Sequence, residues 1–129
     1  MKLIDLHCDT LWKLMDLDRT GDLYKSGCAV TIPDMKKAGT VAQFFACFTY
    51  LEDYRKGNGY EDAYFHVQEM IDYFERQMEV WKEDISYAGS YQEMEENEKR
   101  GLVSAFLTVE EGGVLNGHLE RLERLYQRG

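Results

Sequence analysis

The sequence predicts an α/β fold in which parallel strands alternate with helices, and three observations predict it. Strand-like and helix-like segments follow one another along the chain, as crossover units require. Two strand-like segments, TVAQFFACFT (40–49) and LVSAFLTV (102–109), are apolar on both faces, the pattern of strands covered on both sides. Ionisable residues gather at the ends of strand-like segments, in IDLHCDTL (4–11) and VEEGG (109–113), where α/β proteins place their sites.

Residues 2–9 read as a short strand, and TLWKLMDLDRTG as a short helix or turn ending near Gly21. Residues 22–31 read as loop. PDMKKAG places Pro33 in the first turn of a helix and Gly39 just past its end, the asymmetry helices favour. The second strand is 40–49, and RKGNG (55–59) is a loop. A long helix is predicted from about Glu61 to Trp81. Val67, Met70, Ile71, Phe74, Met78 and Trp81 recur at spacings of three and four, a stripe for core packing. SYQE is a capping box with Ser90 as N-cap and Glu93 as its partner. The charged helix that follows, EMEENEKR, stops at Gly101. Residues 102–109 form the third strand, EEGG interrupts, and LERLERLYQR begins another amphipathic helix. No repeat, low-complexity segment or linker intervenes, so residues 1–129 read as a single domain. A βα pattern places another strand after such a helix, so the sequence reads as the start of something longer.

Composition narrows the function classes. The 129 residues are 44% hydrophobic and 30% charged, a globular balance. Fifteen basic and 24 acidic residues leave a net charge of −9. That argues against nucleic acid, which needs clustered Lys and Arg, and against an anionic membrane surface. The three cysteines are odd in number and lack zinc-finger spacing. They fit a reduced, cytoplasmic compartment. The N-terminus has no apolar core of a signal peptide, and no run approaches the roughly 18 apolar residues of a membrane span.

Side chains alternate across a strand, so Asp5, His7 and Asp9 are expected on one face, about 7 Å between successive members. Leu6 and Cys8 point the other way. In a strand buried on both sides, three polar groups are costly without partners, and a divalent metal ion would offset that cost. A His–Asp hydrogen bond or a capping Asp9 accounts for the same residues. In VEEGG, two glutamates end an apolar strand and two glycines permit a tight turn; solvated loop glutamates are the plain alternative. Together the two segments converge on one face of a barrel, where a bridging carboxylate would hold two metals about 3.5–4 Å apart.

These segments resemble the N-terminal part of the membrane dipeptidase (renal dipeptidase) family, peptidase family M19. DLHCDTL is similar to its opening His-x-Asp strand, IPDMKKAGTVAQFFACF to its basic helix, glycine turn and Gln-Phe strand, and LTVEEGGVLNGHLERLERLYQRG to its Glu-Gly-Gly segment and following helix. The resemblance implies about three βα units of a TIM (β/α)₈ barrel, which takes about 250 residues when complete. It implies a binuclear Zn²⁺ centre and metal-assisted hydrolysis of dipeptides. His7 and Asp9 would bind the first metal and Glu111 would bridge both, with Glu110 as the register alternative and Asp5 in support. General acid and base residues are expected beyond residue 129. The isolated chain is therefore expected to be inactive, completed by a C-terminal part or by self-association. His66, His118 and the three cysteines have no assigned role. The rival readings are a non-catalytic remnant or interaction module of the same fold, and another metal-dependent amidohydrolase. The latter class more often carries His-x-His, from which His7-Cys8-Asp9 departs.

Overall fold

In the computed structural model, residues 1–17 and 21–129 are described. Thr10–Leu17 are helical, first as the short helix α1 (Thr10–Trp12) and then as a π-helical turn over Lys13–Leu17. The remainder of the expected 10–21 segment lies partly outside the described residues. Helix α2 (Ile32–Ala38) starts where predicted: the Thr31 hydroxyl accepts from the Asp34 N–H (3.3 Å), and Pro33 occupies the first turn. Gly39 ends it at φ 74°, donating to Lys36 O. A Cβ there would lie 2.7 Å from the Met1 carbonyl oxygen, so a side chain is excluded by both conformation and space.

Among the described residues, four parallel strands form the sheet: β1 (Leu3–Asp5), β2 (Thr40–Cys47), β3 (Ile85–Tyr87) and β4 (Val103–Val109), in the order β1-β2-β4-β3. β4 pairs with β2 from Ala42↔Ser104 to Cys47↔Val109, and with β3 from Ile85↔Val103 to Tyr87↔Ala105. The long helix α3 (Tyr60–Val80) links β2 to β3, and α4 (Tyr91–Lys99) links β3 back to β4. These two connections cross the sheet in opposite directions. Right-handed crossovers then put their helices on opposite faces. The side chains agree. Phe45 of β2 meets Phe74 of α3 at 5.9 Å between ring centroids, and Val103, Ala105 and Leu107 join the same core. The intervening Ser104 receives a hydrogen bond from Asn97 of α4 (3.3 Å). Phe44 and Phe106 stack at 4.5 Å across the register pair that joins them.

The α3 stripe behaves as the periodicity requires. Val67, Met70, Ile71 and Phe74 are buried, and Met78 and Trp81 pack partly buried against the same core. Each fully buried apolar side chain of this size contributes about 1.5–3 kcal/mol. Gln77, also buried, accepts the Leu23 N–H (3.1 Å) and so ties the 22–31 loop to the helix. Ser90 caps α4 by accepting the Glu93 N–H (3.2 Å), and the Glu93 carboxylate accepts from the Gly89 N–H (2.8 Å). α5 (Leu119–Gln127) follows a 3₁₀ turn at Gly112–Leu115.

Three sequence expectations need correction. The first strand ends at Asp5 rather than residue 9, although Ala46 N–H still donates to the Cys8 carbonyl (3.0 Å). β1 is an edge strand rather than one buried on both sides: Leu3 and Ile4 are exposed, and Leu6 is 70% exposed. The burial argument for a metal at Asp5, His7 and Asp9 therefore loses its premise. β3 is absent from the sequence prediction, because its three residues are too few to show a period, and its partner β4 lies 18 residues later in register.

Candidate metal centre

Beyond β1 the chain runs along the C-terminal end of β2, held there by the Cys8 carbonyl. Cys8 turns its thiol into the core, where burial raises its pKa. His7 and Asp9, on either side of it, point outward and are each half exposed. Asp9 occupies the N-cap position of α1, yet its carboxylate makes no capping bond. It turns instead to His7, with Nε2 and Oδ1 3.2 Å apart. Asp5 accepts the backbone N–H of His7 (3.3 Å), which fixes the peptide that carries the imidazole.

The third group comes from β4. Glu110 follows that strand directly, and its N–H donates to the Cys47 carbonyl (3.3 Å). Its carboxylate lies 3.4 Å from His7 Nε2. Glu110 continues the series Ser104, Phe106, Thr108, whereas Glu111 continues Val103, Ala105, Leu107, Val109, the series packed toward α3. The Glu111 carboxylate accepts the Gly113 N–H (2.7 Å) and caps the 3₁₀ turn. The structure thus brings His7, Asp9 and Glu110 together and leaves Glu111 in a separate contact. Ser104 and Thr108 make one series polar, and Glu110 extends it.

Ligand atoms of His7, Asp9 and Glu110 all lie within 4.8 Å of one another, the one such grouping of three or more among the described residues. A tetrahedral ion with bonds of about 2.1 Å places its ligand atoms about 3.4 Å apart. The two distances to His7 Nε2, 3.2 and 3.4 Å, match that edge length. One imidazole nitrogen facing two carboxylates cannot fully satisfy both with a single proton. A cation between the three groups would. Imidazole and carboxylate are both accepted ligands of zinc and similar divalent ions, so the donor set fits.

A cavity of about 360 Å³ opens beside His7 and Asp9, lined by Thr10, Trp12, Lys13, Cys28 and Val30 among others. The remaining histidines lie elsewhere. His66 sits between Asp16 (3.0 Å) and Glu69 (3.3 Å), and His118 contacts Glu120 (3.1 Å). All three cysteines are buried and free.

Solved structures share this arrangement of strands and helices, among them two larger chains. The structure of the dipeptidase AC, described as a metallopeptidase of family M19, superimposes with a TM-score of 0.83 at 18% identity, covering 100% of this chain and 40% of its own. The probable dipeptidase PvdM from Pseudomonas aeruginosa superimposes with a TM-score of 0.73 at 13% identity, covering 83% of this chain and 28% of its own. At such identities the likeness shows the fold: an α/β unit of parallel strands and alternating helices, matching part of each larger chain. Comparison by sequence with curated proteins returned no match. The family model for membrane dipeptidase, peptidase family M19, matches residues 1–129. With that match spanning the sequence, the chain belongs to peptidase family M19.

Proposed function

We propose that this chain supplies the first metal-binding part of a zinc-dependent dipeptidase, and that it does not turn over dipeptides alone. The observation that carries the reading is the approach of His7, Asp9 and Glu110 at the C-terminal ends of β1 and β4. Glu110, the register alternative to Glu111, is the carboxylate that approaches His7. When bound, the metal supplies Lewis-acid polarisation of the scissile peptide carbonyl. The chain's own residues do the rest of the positioning. Asp5 holds the His7 peptide, the Cys8 carbonyl pins the loop to β2, and the Cys47 carbonyl holds Glu110 at the end of β4. No group among these is placed to act as general acid or base. We assign that role, and capture of the dipeptide's free ends, to the remainder of a complete barrel, since the chain spans less than half of either solved neighbour. The exposed edge at Leu3, Ile4 and Leu6 would be covered by that remainder or by self-association, because unpaired strand edges seek partners. No helix among the described residues is long and apolar enough to cross a membrane, and a reducing, cytoplasmic setting suits three free buried thiols.

The test is calorimetric titration of the chain with zinc chloride, alongside dipeptide hydrolysis and solution mass. Zinc binding by the chain, lost in His7→Ala and Glu110→Gln, is expected without turnover. Absence of zinc binding at neutral pH defeats the metal reading. Turnover by the chain alone defeats the assignment of acid–base chemistry elsewhere.

A further inference from the structure

His66 lies on α3, away from the candidate metal centre, and its side chain is only 15% exposed. Both ring nitrogens face carboxylates. Nε2 lies 3.0 and 3.2 Å from the two oxygens of Asp16, and Nδ1 lies 3.3 Å from Glu69. The two acids come from different places. Glu69 is one turn further along the same helix, whereas Asp16 belongs to the π-helical turn Lys13–Leu17. The ring therefore joins two elements. A carboxylate only accepts, and a neutral imidazole has a single N–H. A neutral ring turns a lone pair on one of the two acids, while a doubly protonated ring satisfies both.

The surroundings favour that positive charge. Tyr54, with its ring centroid 6.1 Å away, packs from the 3₁₀ turn Leu51–Tyr54. Burial first, and then the charges of Asp16, Asp53, Glu69 and Asp62, push its phenol up to about 12. A cavity of about 410 Å³ beside the ring is lined by Leu14, Met15, Asp16, Gly21, Glu69 and Tyr73. Burial, and then Asp22, push the Tyr73 phenol up to about 12 as well. Both phenols therefore stay neutral around the ring. Arg76 stands further along α3, over the Tyr73 ring (5.9 Å to the centroid).

We propose that His66 is a pH-sensitive latch: with both nitrogens protonated it fastens the Lys13–Leu17 turn to α3, and loss of the Nδ1 proton loosens that fastening. This inference stands apart from the metal centre. Histidine changes charge between about pH 5 and 8, so the latch is tight at the acidic end and slackens as pH rises. The proton leaves from Nδ1 because Glu69, 48% exposed, turns readily to water, whereas Asp16 is nearer and more buried. The Nε2–H then remains on Asp16 as a neutral bond, and charge-assisted hydrogen bonds are roughly twice as strong as neutral ones. The turn continues the segment that begins at Asp9, whose carbonyl accepts the Lys13 N–H (3.0 Å). The latch thus steadies the far end of a segment whose Trp12 and Lys13 wall the cavity beside His7.

NMR of the purified chain across that pH range tests the latch. Both ring nitrogens of His66 should read as protonated at the acidic end, with Nδ1 alone deprotonated at the alkaline end. The backbone amides of Met15 and Asp16 should shift with the same midpoint as the ring. His66→Arg carries a cation at every pH and His66→Gln carries none, so in both variants these two amides should stop titrating. Met15 and Asp16 amides that ignore the ring's midpoint in the parent chain, or that keep titrating in both variants, would overturn the proposal. So would a ring already neutral at the acidic end, or one that sheds its Nε2 proton and keeps Nδ1–H. The parent titration decides the matter even where a variant fails to fold.

Discussion

Replacing Arg121 with methionine removes one guanidinium from a nearly buried site while keeping much of its aliphatic volume. The guanidinium joins three elements. Its Nη1 donates to the Val114 carbonyl (3.0 Å), its carbon lies 4.6 Å from the Tyr64 ring centroid on α3, and it pairs with Glu61. A hydrogen bond from a charged donor contributes about 1.5–3 kcal/mol. The cation–π contact adds about 0.5–1 kcal/mol. Glu61 is more than half exposed, so that pair is worth about 0–1 kcal/mol. Methionine leaves the Val114 carbonyl unpaired but still fills space against Tyr64, so the expected loss is about 2–4 kcal/mol. Urea unfolding followed by circular dichroism reads it directly. With a slope of about 2 kcal/mol/M, the midpoint should fall by about 1–2 M at unchanged slope. Arg121→Lys, which keeps the charge without the planar stack, should fall between the two. A methionine variant within about 0.5 kcal/mol of the parent, the range of ordinary surface changes, would refute the claim that this side chain joins α5 and the 3₁₀ turn to α3.

Two further outcomes follow from ionisable groups. Glu93 is held below its ordinary value of 4.5, first by the Gly89 N–H and then by the Ser90 hydroxyl. Its folded value is the lower one, so its contribution is present above pH 4.5 and is lost as pH falls through the folded value. Below pH 4.5 the urea midpoint of the parent should therefore drop more steeply than that of Glu93→Gln, and parallel curves would refute the capping role. The Cys47 thiol is pushed up to about 12, chiefly by burial, leaving a thiolate fraction at pH 8 of about one in ten thousand. Iodoacetamide at pH 8 should leave Cys47 unmodified in the native chain and label it in urea, as peptide mass mapping would show. Native labelling at a free-thiol rate would contradict the burial.

Local signals carried much of the fold. The Pro33–Gly39 frame of α2, the Ser90–Glu93 cap of α4 and the α3 stripe are short-range patterns, and each appears in the structure as read. What failed depended on distant partners. Three residues of β3 carry no period of their own and become a strand through pairing with β4. β1 looked like a buried strand because Leu3, Ile4 and Leu6 are apolar, but exposure is set by what lies beside the edge. For the candidate site, alternation places Asp5, His7 and Asp9 on one face, and the structure brings His7 and Asp9 within 3.2 Å of each other past the end of β1. The sequence leaves the choice between the adjacent glutamates open: the resemblance implies Glu111, with Glu110 as the register alternative. In the structure Glu110 continues the polar series through Ser104 and Thr108 and lies 3.4 Å from His7.

The strand order has a kinetic consequence. β4 lies between β2 and β3, yet is the last of the four to emerge during synthesis. Until residue 109 has left the ribosome, β2 and β3 each wait with a raw seam and no mate. Insertion of β4 stitches both seams in a single step. Such late, non-local closure slows folding and prolongs the interval in which nascent chains stick to one another, so this sheet is most vulnerable while its middle is still missing.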